Sequence, residues 1–232
     1  KTTIKYMKHY QFFVIALLFS GTQTLCAQQD YNDLNKNGRM DPYENPSASI
    51  EERVDNLISL MTLEEKVGQL QMTMGWEYYD RQGRVVSISD KFKQDIRNRH
   101  LGSTWALMRA DPWTQKDFSN GLDFEMSMQL TQDIQQWVRD STRLGIPFFF
   151  AEECPHGLMA LNTMVFPTAI GRASSFNVEL ERIMGMAAAV ETSLHGVNIA
   201  FGPVADIARD PRWSRMEEGY GEDPVLTAAM AS

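Results

Sequence analysis

The stretch Val197–Pro224, VNIAFGPVADIARDPRWSRMEEGYGEDP, decides how this chain is read. It opens on an apolar run, Val197, Ile199, Phe201 and Val204, whose composition predicts a buried parallel strand. Charge then crowds in: Asp206, Arg209, Asp210, Arg212, Arg215, Glu217, Glu218, Glu222 and Asp223. Prolines and glycines among them keep the segment from continuing as strand or helix. A buried strand that runs straight into a dense polar loop is how an α/β enzyme delivers polar groups to a pocket.

Working backward, the same grammar repeats. A helix is expected from the N-cap Asn177 to Gly196, with Glu179 and Glu181 in its first turn and an apolar face of Leu180, Ile183, Met184, Ala187, Ala188 and Leu194. Before it, Phe148-Phe-Phe150 reads as a short apolar strand whose end carries Glu152, Glu153, Cys154, Pro155, His156 and Gly157. A helix over about 123–140 precedes that strand, with Met126, Leu130, Ile134, Trp137 and Val138 on one face. His100–Met108 reads as another strand, and 73–88 gives no assignable pattern. Two helices lead in: Ile50–Met61, and a second begun by the capping box Thr62-Leu-Glu-Glu65. Strand, helix, strand, helix, strand implies a parallel sheet, and polar loops at each strand end favour a (β/α)8 barrel over an open sheet. No G-x-G-x-x-G follows any strand, which argues against a dinucleotide fold.

About three strands are expected where a barrel needs eight, and the helix begun by Asp223 and Pro224 runs to Ser232 without a C-cap. The fold class expected is therefore α/β, a truncated (β/α)8 barrel. Its incomplete domain is 47–232, preceded by a calcium-loop-like linker at 28–46 and a signal peptide at 1–27. Lys5 and Lys8, the apolar run Phe12–Phe19 and the small residue Ala27 form the signal pattern, and the run is too short to span a bilayer. Acylation of Cys26 is disfavoured because Leu25, not a small residue, precedes it. Cleavage after Ala27 removes three lysines and no acid, so the net charge of −8 becomes −11. It also leaves Cys154 as a lone thiol, which excludes an internal disulfide. The acidic balance, with no run of Lys or Arg, disfavours nucleic acid, and no membrane association is expected after cleavage.

After the cleavage point, Asp33, Asn35, Asn37, Asp41 and Glu44 fall at positions 1, 3, 5, 9 and 12 of a loop with Gly38 at position 6. That is the calcium-loop template, in which Arg39 contributes only its backbone carbonyl. One structural calcium ion is expected; too few residues precede the loop for a paired EF-hand.

Three groups of residues could carry chemistry. Glu152 and Glu153 are neighbours on a strand, so one faces the pocket and the other packs away or caps the next turn, and they cannot face each other across a glycosidic bond. Cys154 and His156, two residues apart, lack the spatial pairing of a thiol nucleophile, and a Glu–His156 metal site lacks a third ligand. In the 209–224 loop most charges read as a self-satisfied scaffold, while one arginine can present a guanidinium fork to vicinal hydroxyls. The aromatics Trp76, Tyr78, Tyr79, Trp105, Trp113 and Trp213 are each read as core before site.

Taken together, several motifs resemble glycoside hydrolase family 3. They are Met61-Thr-Leu-Glu-Glu-Lys66, Arg143-Leu-Gly-Ile-Pro147, Glu153-x-x-His156-Gly157, Phe166-Pro167, Gly202-Pro203-x-x-Asp206 and Asp210-Pro-Arg-Trp-Ser-Arg215-x-x-Glu218 running to Pro224. The resemblance covers about Ile50–Ser232, with Ser214 where the family usually has glycine. It implies a barrel followed by an α/β sandwich, and an exo-acting, retaining β-glucosidase that releases terminal nonreducing β-D-glucosyl residues. A β-xylosidase or a non-catalytic carbohydrate-binding fragment is the alternative. It places Glu153 and Arg215 as substrate-binding residues and no catalytic residue in this chain, since the family's nucleophilic aspartate and general acid come later. The implied partners are an oligosaccharide or glycoside and the missing C-terminal part of the same chain. The implied location is periplasmic or secreted, and no cofactor serves catalysis.

Overall fold

The structure, a computed structural model, describes residues 31–232; the expected signal peptide lies outside the described residues. Local sequence sets the helix starts. Ser49 with Glu52 opens α1 (Ile50–Leu60), and Thr62 with Glu65 opens α2 (Leu63–Gln69), each through a reciprocal capping box. Beyond α2 come strand β1 (Met72–Met74) and an antiparallel hairpin, β2 (Tyr79–Gln82) and β3 (Val85–Ile88). Ser89 caps α3 (Asp90–Arg99), which His100 ends in the left-handed region at φ 54°. Strand β4 (Ser103–Trp105) leads to α4 (Phe124–Ser141), capped by Asp123, and then to β5 (Phe149–Glu153). The short α5 (Ala169–Ala173) and the Asn177-capped α6 (Val178–Leu194) precede β6 (Ile199–Phe201). Asp223 caps α7 (Pro224–Ala231), with Pro224 in its first turn.

Strands β1, β4, β5 and β6 form one parallel sheet in that order, with Thr73, Thr104 and Phe150 in register across its first three members. The expected parallel α/β architecture is present. The core lies under the sheet, where Phe92 and Ile96 of α3 and Leu130 and Ile134 of α4 meet Phe148 and Phe150. Phe92 packs edge-on to Tyr78, Phe148 and Trp137, with ring centroids 5.2, 5.3 and 5.8 Å away. The Tyr78 hydroxyl, buried at one end of this stack, pairs with Thr73 and donates to Asp95 at 2.8 Å.

Several expectations are corrected. The unassigned segment 73–88 holds the end of β1, which starts at Met72, and the whole hairpin, so the sheet has four parallel strands. Gly83, at φ 62°, makes the two-residue turn with Arg84. Strand β6 is not buried: it is the last strand of the sheet, and Phe201 keeps 38% of its surface. The apolar face of α6 is open as well, with Leu180, Ile183 and Leu194 exposed and only Ala188 of the expected face buried. Helix α1 likewise buries none of its residues. Among the described residues no helix is long and apolar enough to cross a membrane.

Candidate functional site

Three successive strands end on one cavity of about 610 Å³. From β4 come Trp105 and, in the loop that follows, Arg109 and Trp113; from β5 come Glu153, Pro155 and His156; from the loop after β6 come Arg215 and Glu218. The sequence-predicted pair Glu153 and Arg215 is thus brought to one site. They make no direct ion pair: Arg215 Nε donates to Glu218 at 2.8 Å, while the cation nearest Glu153 is Arg109, at 3.8 Å. The hydrogen bond and charge of Glu218 raise the pKa of Arg215 above its ordinary value, and Asp206 and Glu153 add to this from further away. The scaffold reading of the loop holds for Asp210 and Arg212, which pair with each other at the exposed tip.

Backbone alternation separates the two glutamates as expected. Glu153 reaches the cavity, whereas Glu152 is completely buried and accepts a hydrogen bond from the Met108 N–H at 2.7 Å. Burial pushes its pKa up to about 8, against the opposing influence of the Met108 and Leu107 amides and of Arg109. Its second oxygen, Oε2, has no partner among the described residues.

The wall built from the β4 loop was missed from the sequence. Arg109 Nε donates to Asp111 at 2.6 Å, and its guanidinium carbon lies 4.8 Å from the Trp113 ring centre and 5.8 Å from that of Trp105. Burial raises the Asp111 pKa, but the Thr114 amide and Arg109 outweigh it, and the carboxyl sits below its ordinary value. Trp113 also packs edge-on to Trp76 at 4.9 Å. Trp105 and Trp113 therefore line the cavity instead of filling the core. The available signal was similar to the one that flagged the 197–224 loop: a short strand and an apolar Ala106-Leu-Met108 stretch followed by Arg, Asp and Trp in RADPW, 109–113.

A second buried network holds the β5 end. Arg172 of α5 donates to Glu181 at 2.8 Å and to the Pro155 carbonyl at 3.1 Å, and Glu181 accepts from the Tyr220 hydroxyl at 2.6 Å. Burial first, then the hydrogen bond to Glu181, lifts the Tyr220 pKa to about 12. Gly157, at φ 100°, lies so close to the Met164 carbonyl that a Cβ would stand 2.0 Å from that oxygen. Cys154 is partly buried against the core, with Sγ 3.5 Å from Thr192 Oγ1.

The 33–44 loop closes on itself. Asp33 accepts from Asn37 N at 3.1 Å and Gly38 N at 2.8 Å, and Gly38 takes φ 78°. Asn35 and Asn37 each direct a side-chain amide nitrogen at Asp41 Oδ2, both at 2.6 Å. Glu44 accepts from Leu34 N, Asn35 N and Asp41 N. Arg39 is exposed and pairs with Asp41 at 3.5 Å. Among the described residues no three His, Cys, Asp or Glu side chains converge closely enough to hold a metal by themselves, so any cation here needs the asparagine oxygens.

Comparison with known proteins agrees with this geometry. The model of the glycosyl hydrolase family 3 N-terminal domain matches residues 62–232. The periplasmic β-glucosidase of Salmonella typhimurium is 35% identical over 179 residues, which are 76% of this chain and 19% of that protein. The periplasmic β-glucosidase/β-xylosidase of Dickeya chrysanthemi is 28% identical over 86% of this chain and 30% of its own length. In three dimensions the chain is similar to a β-glucosidase from Erythrobacter marinus, with a TM-score of 0.64 and 29% identity over 81% of this chain and 23% of that one. It thus spans less than a third of each of these proteins. With the match running from the second helix to the last residue, over a parallel sheet whose strand ends converge on one polar cavity, the chain belongs to glycosyl hydrolase family 3.

Proposed function

We propose that this chain is the sugar-holding part of an exported, retaining exo-β-glycosidase, most simply a β-glucosidase that releases terminal nonreducing β-D-glucosyl residues. The observation that carries the reading is the convergence of Glu153 and Arg215, from separate strand ends, on a cavity walled by Trp105 and Trp113. A carboxylate accepts hydroxyl protons, a guanidinium fork donates to hydroxyl oxygens, and indole rings stack on the apolar faces of a pyranose. Glu153 and Arg215 bind and orient the sugar. They do not perform the displacement, because retention needs a nucleophile and a general acid on either side of the scissile bond, about 5–5.5 Å apart. Glu152 cannot be the second carboxylate, being buried behind Glu153 on the same strand with its oxygen on the Met108 amide. Nucleophile and acid are supplied from outside residues 31–232, and the four parallel strands are the first half of a (β/α)8 barrel. Export follows from the signal pattern at 1–27 and agrees with the periplasmic names of two relatives. The name of the Dickeya relative also supports a β-xylosidase as the alternative.

The test is turnover of aryl β-D-glucosides and β-D-xylosides by the full-length protein, with the first-formed anomer read by NMR. β-Glucose as the initial product is expected. No hydrolysis of any β-glycoside would sink the reading.

We further propose that the 33–44 loop takes one calcium ion. Asp41, 7% exposed, faces two asparagine side chains at 2.6 Å, and rotation of either amide replaces an N–H donor by a hard oxygen. Asp33, Asn35, Asn37, Asp41 and Glu44 would be the side-chain ligands and the Arg39 carbonyl the backbone one.

A further inference from the structure

The glycosidase reading assigns Glu153 and Arg215; it leaves Arg109 without a role. We propose that Arg109 is a third sugar-binding residue, one that shares a substrate hydroxyl with Glu153. The proposal rests on the glycosidase reading and names a contact within that site.

Arg109 is held rigidly. Its Nε is committed to Asp111, its guanidinium lies over Trp113 and beside Trp105, and its side chain is 16% exposed. The backbone that carries it is fixed on both sides. Ala106, at φ 61°, gives its N–H to the Ala151 carbonyl, Met108 gives its N–H to buried Glu152, and Ala110 gives its N–H to the Met159 carbonyl at 3.2 Å. A non-glycine residue in the left-handed region persists only where its surroundings over-determine it. This loop is therefore built to place something, and what it places is a guanidinium at the cavity wall.

The rigid cation has donors to spare. A guanidinium carries five N–H groups, and the Asp111 bond uses Nε. Nη1 approaches Glu153 Oε1 at 3.8 Å, too far for a hydrogen bond but close enough for one hydroxyl to touch both. A sugar hydroxyl both donates and accepts, so it can donate a hydrogen bond to Glu153 while accepting one from Arg109. Trp105, whose indole N–H is buried without a partner among the described residues, lines the same wall. The pairing selects a hydroxyl at one ring position and rejects a sugar that lacks it, since both charged groups would then be left unmatched.

The experiment uses the full-length protein, its Arg109→Lys and Arg109→Met variants, and 4-nitrophenyl β-D-glucoside beside its monodeoxy analogues. A contact to a charged donor predicts a loss of about ten- to hundredfold in kcat/KM on the parent glucoside for Arg109→Met, with thermal melting retained. Wild type should lose a comparable factor on one deoxy analogue, and on that analogue alone Arg109→Met should cost little more. Glucose titration followed by tryptophan fluorescence gives a readout that needs no turnover, and weaker binding is expected in both variants. An equal loss for Arg109→Met on the parent and on every deoxy analogue would show a structural role only and overturn the proposal, as would unchanged kinetics. If wild type hydrolyses β-glucosides and the coupling is absent, the glycosidase reading stands and Arg109 falls. If wild type hydrolyses none, both fall.

Discussion

Glu152 Oε1 accepts the Met108 N–H at 2.7 Å, joining two strand ends 44 residues apart beneath the candidate sugar site. The carboxyl is fully buried, and burial lifts its pKa to about 8. Between the unfolded value near 4.5 and about 8, the unfolded chain is ionised at this position while the folded chain keeps its proton. Stability must then fall as pH rises through that window, by up to about 1.4 kcal/mol per pH unit from this group. Glu152→Gln keeps an acceptor for the Met108 amide and removes the titration. Melting of wild type and variant from pH 4.5 to 8 should diverge in favour of the variant as pH rises. Parallel curves would mean that Glu152 is ionised in the folded protein.

The Arg172–Glu181–Tyr220 network predicts a different pattern. Both members of the ion pair are nearly inaccessible, at 8% and 7% of side-chain surface. Removing one partner strands the other, so Arg172→Met should destabilise by about 3–5 kcal/mol. Arg172→Met combined with Glu181→Leu should cost less than the sum of the two single changes. Additive losses in denaturant titration would contradict the coupling. Because Arg172 also donates to the Pro155 carbonyl, sugar affinity should weaken along with stability.

Two glycines make a contrast. Gly157 has φ 100° and a carbonyl oxygen 2.0 Å from where a Cβ would stand, so Gly157→Ala adds a clash to a conformational cost of about 1–3 kcal/mol. It should also displace His156 from the cavity wall and raise KM. Gly185 lies within α6 and has nothing within 4 Å of a built Cβ. Gly185→Ala should stabilise by about 0.5–1 kcal/mol with unchanged kinetics. Melting temperatures moving in the same direction would refute this account of the two positions.

Calcium at the 33–44 loop should show as chelator-dependent melting. Addition of EDTA to the mature full-length protein is expected to lower its melting temperature, and calcium, more than magnesium, to restore it. Asp33→Ala should abolish the response. Identical melting with and without chelator, together with no heat of calcium binding, would remove the ion.

Most of what positions the site was legible in the sequence. The caps Thr62, Asn177 and Asp223 start their helices as read, and Met126, Leu130, Ile134 and Val138 bury the face that their spacing marks. Glu153 and Arg215 arrive at one cavity because parallel strands send their ends to the same side of a sheet. What failed has a physical cause. Met72-Thr-Met74 is too short and too poor in β-branched residues to announce a strand, and only pairing with Ser103–Trp105 makes it one. Ile199–Phe201 has the composition of a buried strand, but burial depends on neighbours, and in the described sheet β6 pairs on one side only. Trp105 and Trp113 read as core because an indole serves either role, and only the fold shows both lining the cavity beside Arg109.

The central claim is that Glu153 and Arg215 hold the sugar rather than cleave it. Full-length wild type, Glu153→Gln and Arg215→Ala are to be compared on 4-nitrophenyl β-D-glucoside and on an activated aryl glucoside with a better leaving group. Positioning residues predict a fall in kcat/KM of about ten- to hundredfold that is similar for both substrates, with β-glucose still the first product. Loss of retention, or rescue of the Glu153 variant by the better leaving group alone, would make Glu153 a chemical catalyst and contradict the account.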